Sequence, residues 1–132
     1  MKRMLFWLIV LLVLGTLVAC DDTVSGDVPS EATSIGDPVA GRTLFESGGA
    51  ALVPCATCHT LDGTELVGPS LMGIAARAAT RTELSAEDYL RQSIIDPSAY
   101  VVDGYADVMY KEYGTKLSDE DIDNLIAFLL TQ

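Results

Sequence analysis

The sequence predicts an all-α domain. Three stretches carry helix caps and apolar residues at helical spacing, and no stretch alternates polar and apolar residues over the length of a strand. There is no internal repeat. A chain of 132 residues holds one domain once a targeting segment is set aside.

Asp37-Pro38 opens the first helix, with an N-cap followed by a proline at the first helical position. Val39, Leu44 and Phe45, with the small Ala40 and Gly41, form its expected buried side, and Gly48-Gly49 ends it. The second helix begins at Ser85-Ala86-Glu87-Asp88, an acidic variant of the capping box. Its apolar side is Tyr89, Leu90, Ile94 and Ile95, and Asp96-Pro97 stops it. The third helix is the clearest. Ser118 caps it, Asp119, Glu120 and Asp121 crowd its positive end, and Ile122, Leu125, Ile126 and Leu129 recur three and four apart. Between the first two helices, "VPCATCHTLDGTELVGPSLMGIAAR" reads as loop with a short helical turn at the cysteines. Residues 98–116 read as a tyrosine-rich loop.

The first nineteen residues read as a leader. Lys2 and Arg3 precede an apolar run from Leu5 to Val18, which is short for a membrane span of about 20 residues. The run ends in Leu17-Val18-Ala19-Cys20, which resembles the bacterial lipobox. That resemblance implies cleavage before Cys20 and acylation of its sulfur, with two or more chains giving stable anchoring. An ordinary signal peptide, or an uncleaved anchor helix with Cys20 incidental, is the alternative. Either way the domain lies outside the cytoplasm, at the face of a bacterial cell membrane. Residues 20–36 then form an acidic tether rich in Ser, Thr, Gly and Pro, with a reach of roughly 20–25 Å by coil scaling, and residues 37–132 form the domain.

The formal net charge is −11. Without Lys2 and Arg3, six basic residues face nineteen acidic ones, a balance of about −13. Such a chain does not bind nucleic acid through phosphates. Steering by its field favours a partner with a basic docking face; the alternative is that the charge only keeps the domain soluble.

With Cys20 assigned to the lipid, "VPCATCHT" holds the two remaining cysteines, Cys55 and Cys58, beside the only histidine, His59. Cys-x-x-Cys-His reads as a site for covalent attachment of haem c. Thiols three positions apart on a helical turn face one side and reach two vinyl groups along one porphyrin edge. The adjacent imidazole then ligates iron. A thioredoxin-type redox pair expects a βαβ setting, and a structural zinc site needs four ligands; the sequence supplies neither. A plain disulfide leaves His59 unexplained. With a single histidine, a second imidazole ligand from this chain is impossible, so the sixth position falls to methionine, a weaker donor, water or nothing. Met72 follows His59 by thirteen residues, in a segment that first has to cover the histidine side. Met109, fifty residues on, lets the chain wrap the ring edge and return on the other face, and is the expected sixth ligand. Met72 is expected to pack in the core.

At this point the sequence resembles class I cytochromes c, small monohaem His/Met electron carriers, over roughly residues 36–132. "GDPVAGRTLFESGG" is similar to the family's first helix, with Gly41 and Phe45 where it crosses the last one. "CATCHTLDG" matches the haem site. "VGPSLMGIAAR" is similar to the segment whose proline carbonyl, here Pro69, accepts a hydrogen bond from the ligand imidazole. "YADVMYKEYGTKLSDEDIDNLIAFLLTQ" resembles the methionine loop and last helix, with Phe128 in its aromatic position. One departure is Tyr110, where the family commonly places proline after the ligand methionine. The stretch "YLRQSIIDPSAYVVDGYADVMY" is especially similar to cytochrome domains of terminal oxidase subunit II and to cytochrome subunits of quinol-oxidising complexes. The resemblance implies N- and C-terminal helices that cross, and a haem enclosed by loops and short helices. Tyr100 and Tyr105 are then expected near the haem edge or propionates, and Arg77 beside a propionate.

The function implied is one-electron transfer without substrate chemistry, next to or within a respiratory or photosynthetic complex. Two alternatives stand beside it: a haem enzyme or gas sensor with an open or labile sixth position, and an assembly lipoprotein whose haem is incidental.

Overall fold

The structure is a computed structural model and describes residues 35–132. The leader expected over 1–19, the lipidation expected at Cys20 and the tether up to residue 34 lie outside the described residues. Among the described residues five helices follow one another: α1 (Pro38–Ser47), α2 (Ile74–Arg81), α3 (Ala86–Ile95), the single turn α4 (Tyr113–Lys116) and α5 (Asp119–Leu129). Two 3₁₀ turns, Gly49–Ala51 and Cys55–Thr57, lie between α1 and α2. Among the described residues there is no strand, and no helix is long and apolar enough to cross a membrane.

Local chemistry accounts for the ends of these helices. The Asp37 carboxylate accepts the Val39 N–H at the start of α1, with Pro38 at the first helical position. Gly48, at φ 78°, closes α1 by donating its N–H to the Leu44 carbonyl. Ser85 accepts the Asp88 N–H at the start of α3. Ser118 and Asp121 form a full capping box on α5, each side chain taking the other's backbone N–H.

α1 crosses α5, and the crossing is close because Gly41 has no side chain. A methyl there would overlap the Asn124 carbonyl and come within 2.7 Å of the Phe128 Cβ. One turn later Phe45 meets Phe128 with ring centroids 5.6 Å apart, and the Arg42 guanidinium lies 5.1 Å from the Phe128 ring. Asn124 is the one polar residue among the described residues that is buried with the apolar core, and it is satisfied: its Oδ1 accepts the Asp37 N–H at 2.7 Å. The cap of one helix is thereby tied to the middle of the other.

Val39 differs from expectation. It is 73% exposed, because the crossing is set by Gly41 and Phe45, and Val39 lies about 200° around the helix from Gly41. Ile95 is likewise exposed at the end of α3. The alanine-rich α2, whose first half falls in a stretch expected to be loop, packs on α3 through Ala78, which is fully buried. Its sequence, "IAARAATR", has the composition of a good helix former. α3 is held to α5 by an ion pair between Arg91 and Asp123. Phe45, Ile74, Leu90, Ile94, Leu125 and Leu129 all belong to the core and also line the cavity described below.

Two substitutions test the crossing. Gly41→Ala should lower the unfolding free energy by about 1–3 kcal/mol through overpacking. Asn124→Ala should cost about 1–2 kcal/mol by orphaning the Asp37 N–H. Denaturant midpoints measure both.

Candidate haem site

The attachment turn is built from backbone. Pro54 is extended (φ −64°, ψ 134°), and the chain then coils at Cys55–Thr57. The Cys55 carbonyl accepts both the Cys58 N–H (3.1 Å) and the His59 N–H (2.9 Å). This coil carries Cys55, Cys58 and His59 to the wall of one cavity. Both cysteines are free thiols and half-buried. Burial pushes the Cys55 thiol up to about 11, so it stands neutral in an apolar wall.

His59 is held from two directions. Its Nδ1 lies 2.8 Å from the Pro69 carbonyl oxygen. A carbonyl only accepts, so Nδ1 carries the proton and Nε2 keeps its lone pair. Burial lowers the imidazole's proton affinity, which keeps the ring neutral, against the opposing pull of the Pro69 bond. Gly68 lies flat against the ring, and a methyl at that position would collide with it. The backbone reaches the ring so closely only because residue 68 is glycine.

The segment carrying Pro69 is itself fastened. Gly68 N–H donates to the Cys58 carbonyl at 3.0 Å and Leu71 N–H to the Thr60 carbonyl at 2.7 Å. Arg77 donates to the carbonyls of Ser70 (2.7 Å) and Met72. The structure therefore places Arg77 as a clamp on the Pro69 segment, and it does not line the main cavity.

That cavity encloses about 310 Å³, within the ~300–1,000 Å³ usual for cofactor pockets. Its walls are mostly apolar, and it gathers Cys55, Cys58, His59, Pro69 and Met109. Tyr100 and Tyr105 also line it, and Tyr100 packs edge-on against Tyr89 with centroids 5.9 Å apart. Of the two methionines among the described residues, Met109 faces the cavity and packs against the core. Met72, expected in the core, is 52% exposed over Gly63, because its loop turns outward before α2.

Two polar atoms in this wall, Arg81 Nε and Tyr105 Oη, are buried without a hydrogen bond of good geometry, and the Glu65 carboxylate is the protein group beside Tyr105. Burial, with Glu65 nearby, pushes the Tyr105 hydroxyl's pKa upward and keeps it a donor. Orphaned donors of this kind are rare in native folds and call for an acceptor from elsewhere. Arg81 is the residue that sequence reading missed. It lies four residues after Arg77 on α2, so both share a helix face, and only the fold shows that Arg81 reaches the cavity. The donor set fits haem: two thiols for the vinyl groups, one imidazole nitrogen, one thioether, and two unpaired donors for carboxylates.

The sequence model of the cytochrome c family matches residues 39–132. No curated protein matches the chain. The covalent haem c that this family carries has its attachment residues here in Cys55 and Cys58, and the chain belongs to the cytochrome c family of haem-based electron carriers.

Proposed function

We propose that the protein is a class I, His/Met-ligated carrier that moves single electrons at the extracytoplasmic face of a bacterial membrane. The observation that carries this reading is the pairing of a fixed, neutral His59 with Met109 in one apolar cavity. Bound haem supplies a one-electron iron couple. The chain's own residues set its conditions. His59 offers Nε2 in a fixed tautomer, and the Pro69 bond strengthens it as a donor. Met109 offers a thioether, which favours the reduced state and raises the potential relative to a second imidazole. The apolar wall excludes water. Arg81 Nε and Tyr105 Oη are fixed donors for the propionate carboxylates, with Arg81 rather than Arg77 in that role.

Charge supports a basic partner. Arg42, Arg91, Lys111 and Lys116 each sit beside a carboxylate, Glu46, Asp123, Asp107 and Glu112 respectively. Arg77 is held by carbonyls and Arg81 faces the cavity. The surface field is then that of the remaining carboxylates. Acylation of Cys20 would keep the domain within tether length of the lipid, next to a terminal oxidase or quinol-oxidising complex as a subunit or close neighbour.

Met109→Ala tests the ligation. The oxidised protein should lose its near-infrared Met–iron band, turn largely high-spin and take up external ligands; an unchanged resting spectrum would instead support an enzyme or sensor with an open sixth position. Cys20→Ser should move the protein from the membrane fraction to the soluble one. Electron exchange with its native partner should slow as salt rises from 50 to 200 mM, roughly the range over which the Debye length falls below 10 Å. A rate independent of salt would contradict electrostatic docking. Native purification in mild detergent decides the context, since a complex subunit co-migrates with its oxidase or quinol-oxidising partner and a shuttle does not.

A further inference from the structure

Met109 sits near the end of a long stretch, residues 96–112, that has no helix. Holding a single thioether at one point in such a stretch carries a large conformational cost. On its N-terminal side the ring contact of Tyr100 with Tyr89 lies nine residues away, and the chain nearer Met109 is loosely held. Val108 is 60% exposed, Gly104 (φ 89°) has open space around it, and the Ser98–Asp107–Lys111 contacts lie at the surface. Support comes from the other side, one residue later.

The Tyr110 ring packs edge-on against the Tyr113 ring, with centroids 5.1 Å apart and planes at 80°. Tyr113 is buried, and its hydroxyl donates to the Val53 carbonyl at 2.8 Å across sixty residues of sequence. Burial raises the pKa of that hydroxyl, so it remains a donor. Val53 lies two residues before Cys55, and the same hydroxyl sits beside the Cys55 thiol. Tyr110 in turn donates its own hydroxyl to Glu112 at 3.0 Å. Below Tyr113, Gly114 lies against Ile95 of α3, which seats α4 in the fold.

We propose that Tyr110 and Tyr113 form a clasp that ties the methionine loop to the haem-attachment turn, making them positioning residues for Met109 on the iron. The proposal rests on Met109 being the sixth ligand. The clasp joins the two chain segments that hold the cofactor: Cys55 and His59 at one end, Met109 at the other. Its hydrogen bond and ring contact are made between protein groups and do not involve the thioether, so the position of the loop does not depend on an iron–sulfur bond alone.

Imidazole competes with Met109 for the iron and measures how firmly the thioether is held. The oxidised holoprotein is titrated with imidazole and followed in the Soret and near-infrared bands. Tyr113→Phe keeps the ring and removes one hydrogen bond; imidazole affinity should rise about fivefold, the equivalent of ~1 kcal/mol. Its reduction potential should fall as the thioether is held less firmly. Tyr110→Leu removes the ring contact and should raise the affinity at least as much, whereas Tyr110→Phe keeps the ring and should behave as the parent. Asn124→Ala lowers global stability far from the clasp and should leave imidazole affinity unchanged, which separates positioning from general loosening. If Tyr113→Phe does not yield holoprotein, Tyr110→Leu carries the same test. Parent-like affinity in Tyr113→Phe and Tyr110→Leu, together with a large rise in Met109→Ala, overturns the clasp and leaves the ligation intact. Parent-like affinity in Met109→Ala overturns the ligation itself, and the clasp with it.

Discussion

The hydrogen bond from His59 Nδ1 to the Pro69 carbonyl organises the site. It decides which ring nitrogen is free, fixes the plane of the ring and makes the free nitrogen a better donor. Much of the surrounding structure serves it. Gly68 exists as glycine so that the backbone can lie on the ring, the Gly68–Cys58 and Leu71–Thr60 bonds hold that backbone, and Arg77 clamps the two carbonyls beyond it. A buried imidazole without these constraints would have two tautomers and a free rotation. With them it has one.

The α1–α5 crossing supplies the frame on which this site hangs. Gly41 and Asn124 bring two helices together that are far apart in sequence, and Phe45 and Leu125 show one face to the core and another to the cavity. The cofactor pocket is therefore continuous with the hydrophobic core. Filling it adds apolar contact to residues already buried, and that links cofactor binding to folding stability. The covalent links through Cys55 and Cys58 mean that the cofactor does not exchange.

Sequence reading succeeded where the information is local. The Cys55-Ala56-Thr57-Cys58-His59 spacing is fixed by one helical turn, and the ends of α1 and α5 are written in Asp37-Pro38 and in Ser118 with Asp121. The last helix is readable because Ile122, Leu125, Ile126 and Leu129 recur three and four apart and are all buried, although Asn124, Ala127 and Phe128 are buried with them. What was not legible depends on contacts distant in sequence. Val39 is apolar and helical, yet which side of α1 is buried depends on Gly41 meeting Asn124. Arg77 and Arg81 are equivalent on α2 until the fold turns one onto the carbonyls and the other into the cavity. Tyr113 looks like one of several loop tyrosines, and its importance appears only when its hydroxyl reaches Val53. The composition of "IAARAATR" is itself a helix signal, in a segment that glycines and prolines precede.

Both faces of the iron can be read in one proton NMR spectrum of the reduced, diamagnetic holoprotein. A slowly exchanging ring N–H from His59, close in space to Pro69, together with a methionine methyl from Met109 shifted far upfield by the porphyrin ring current, is the predicted result. A ring proton that exchanges freely, or the absence of any upfield methionine methyl, would contradict the coordination on which the account rests.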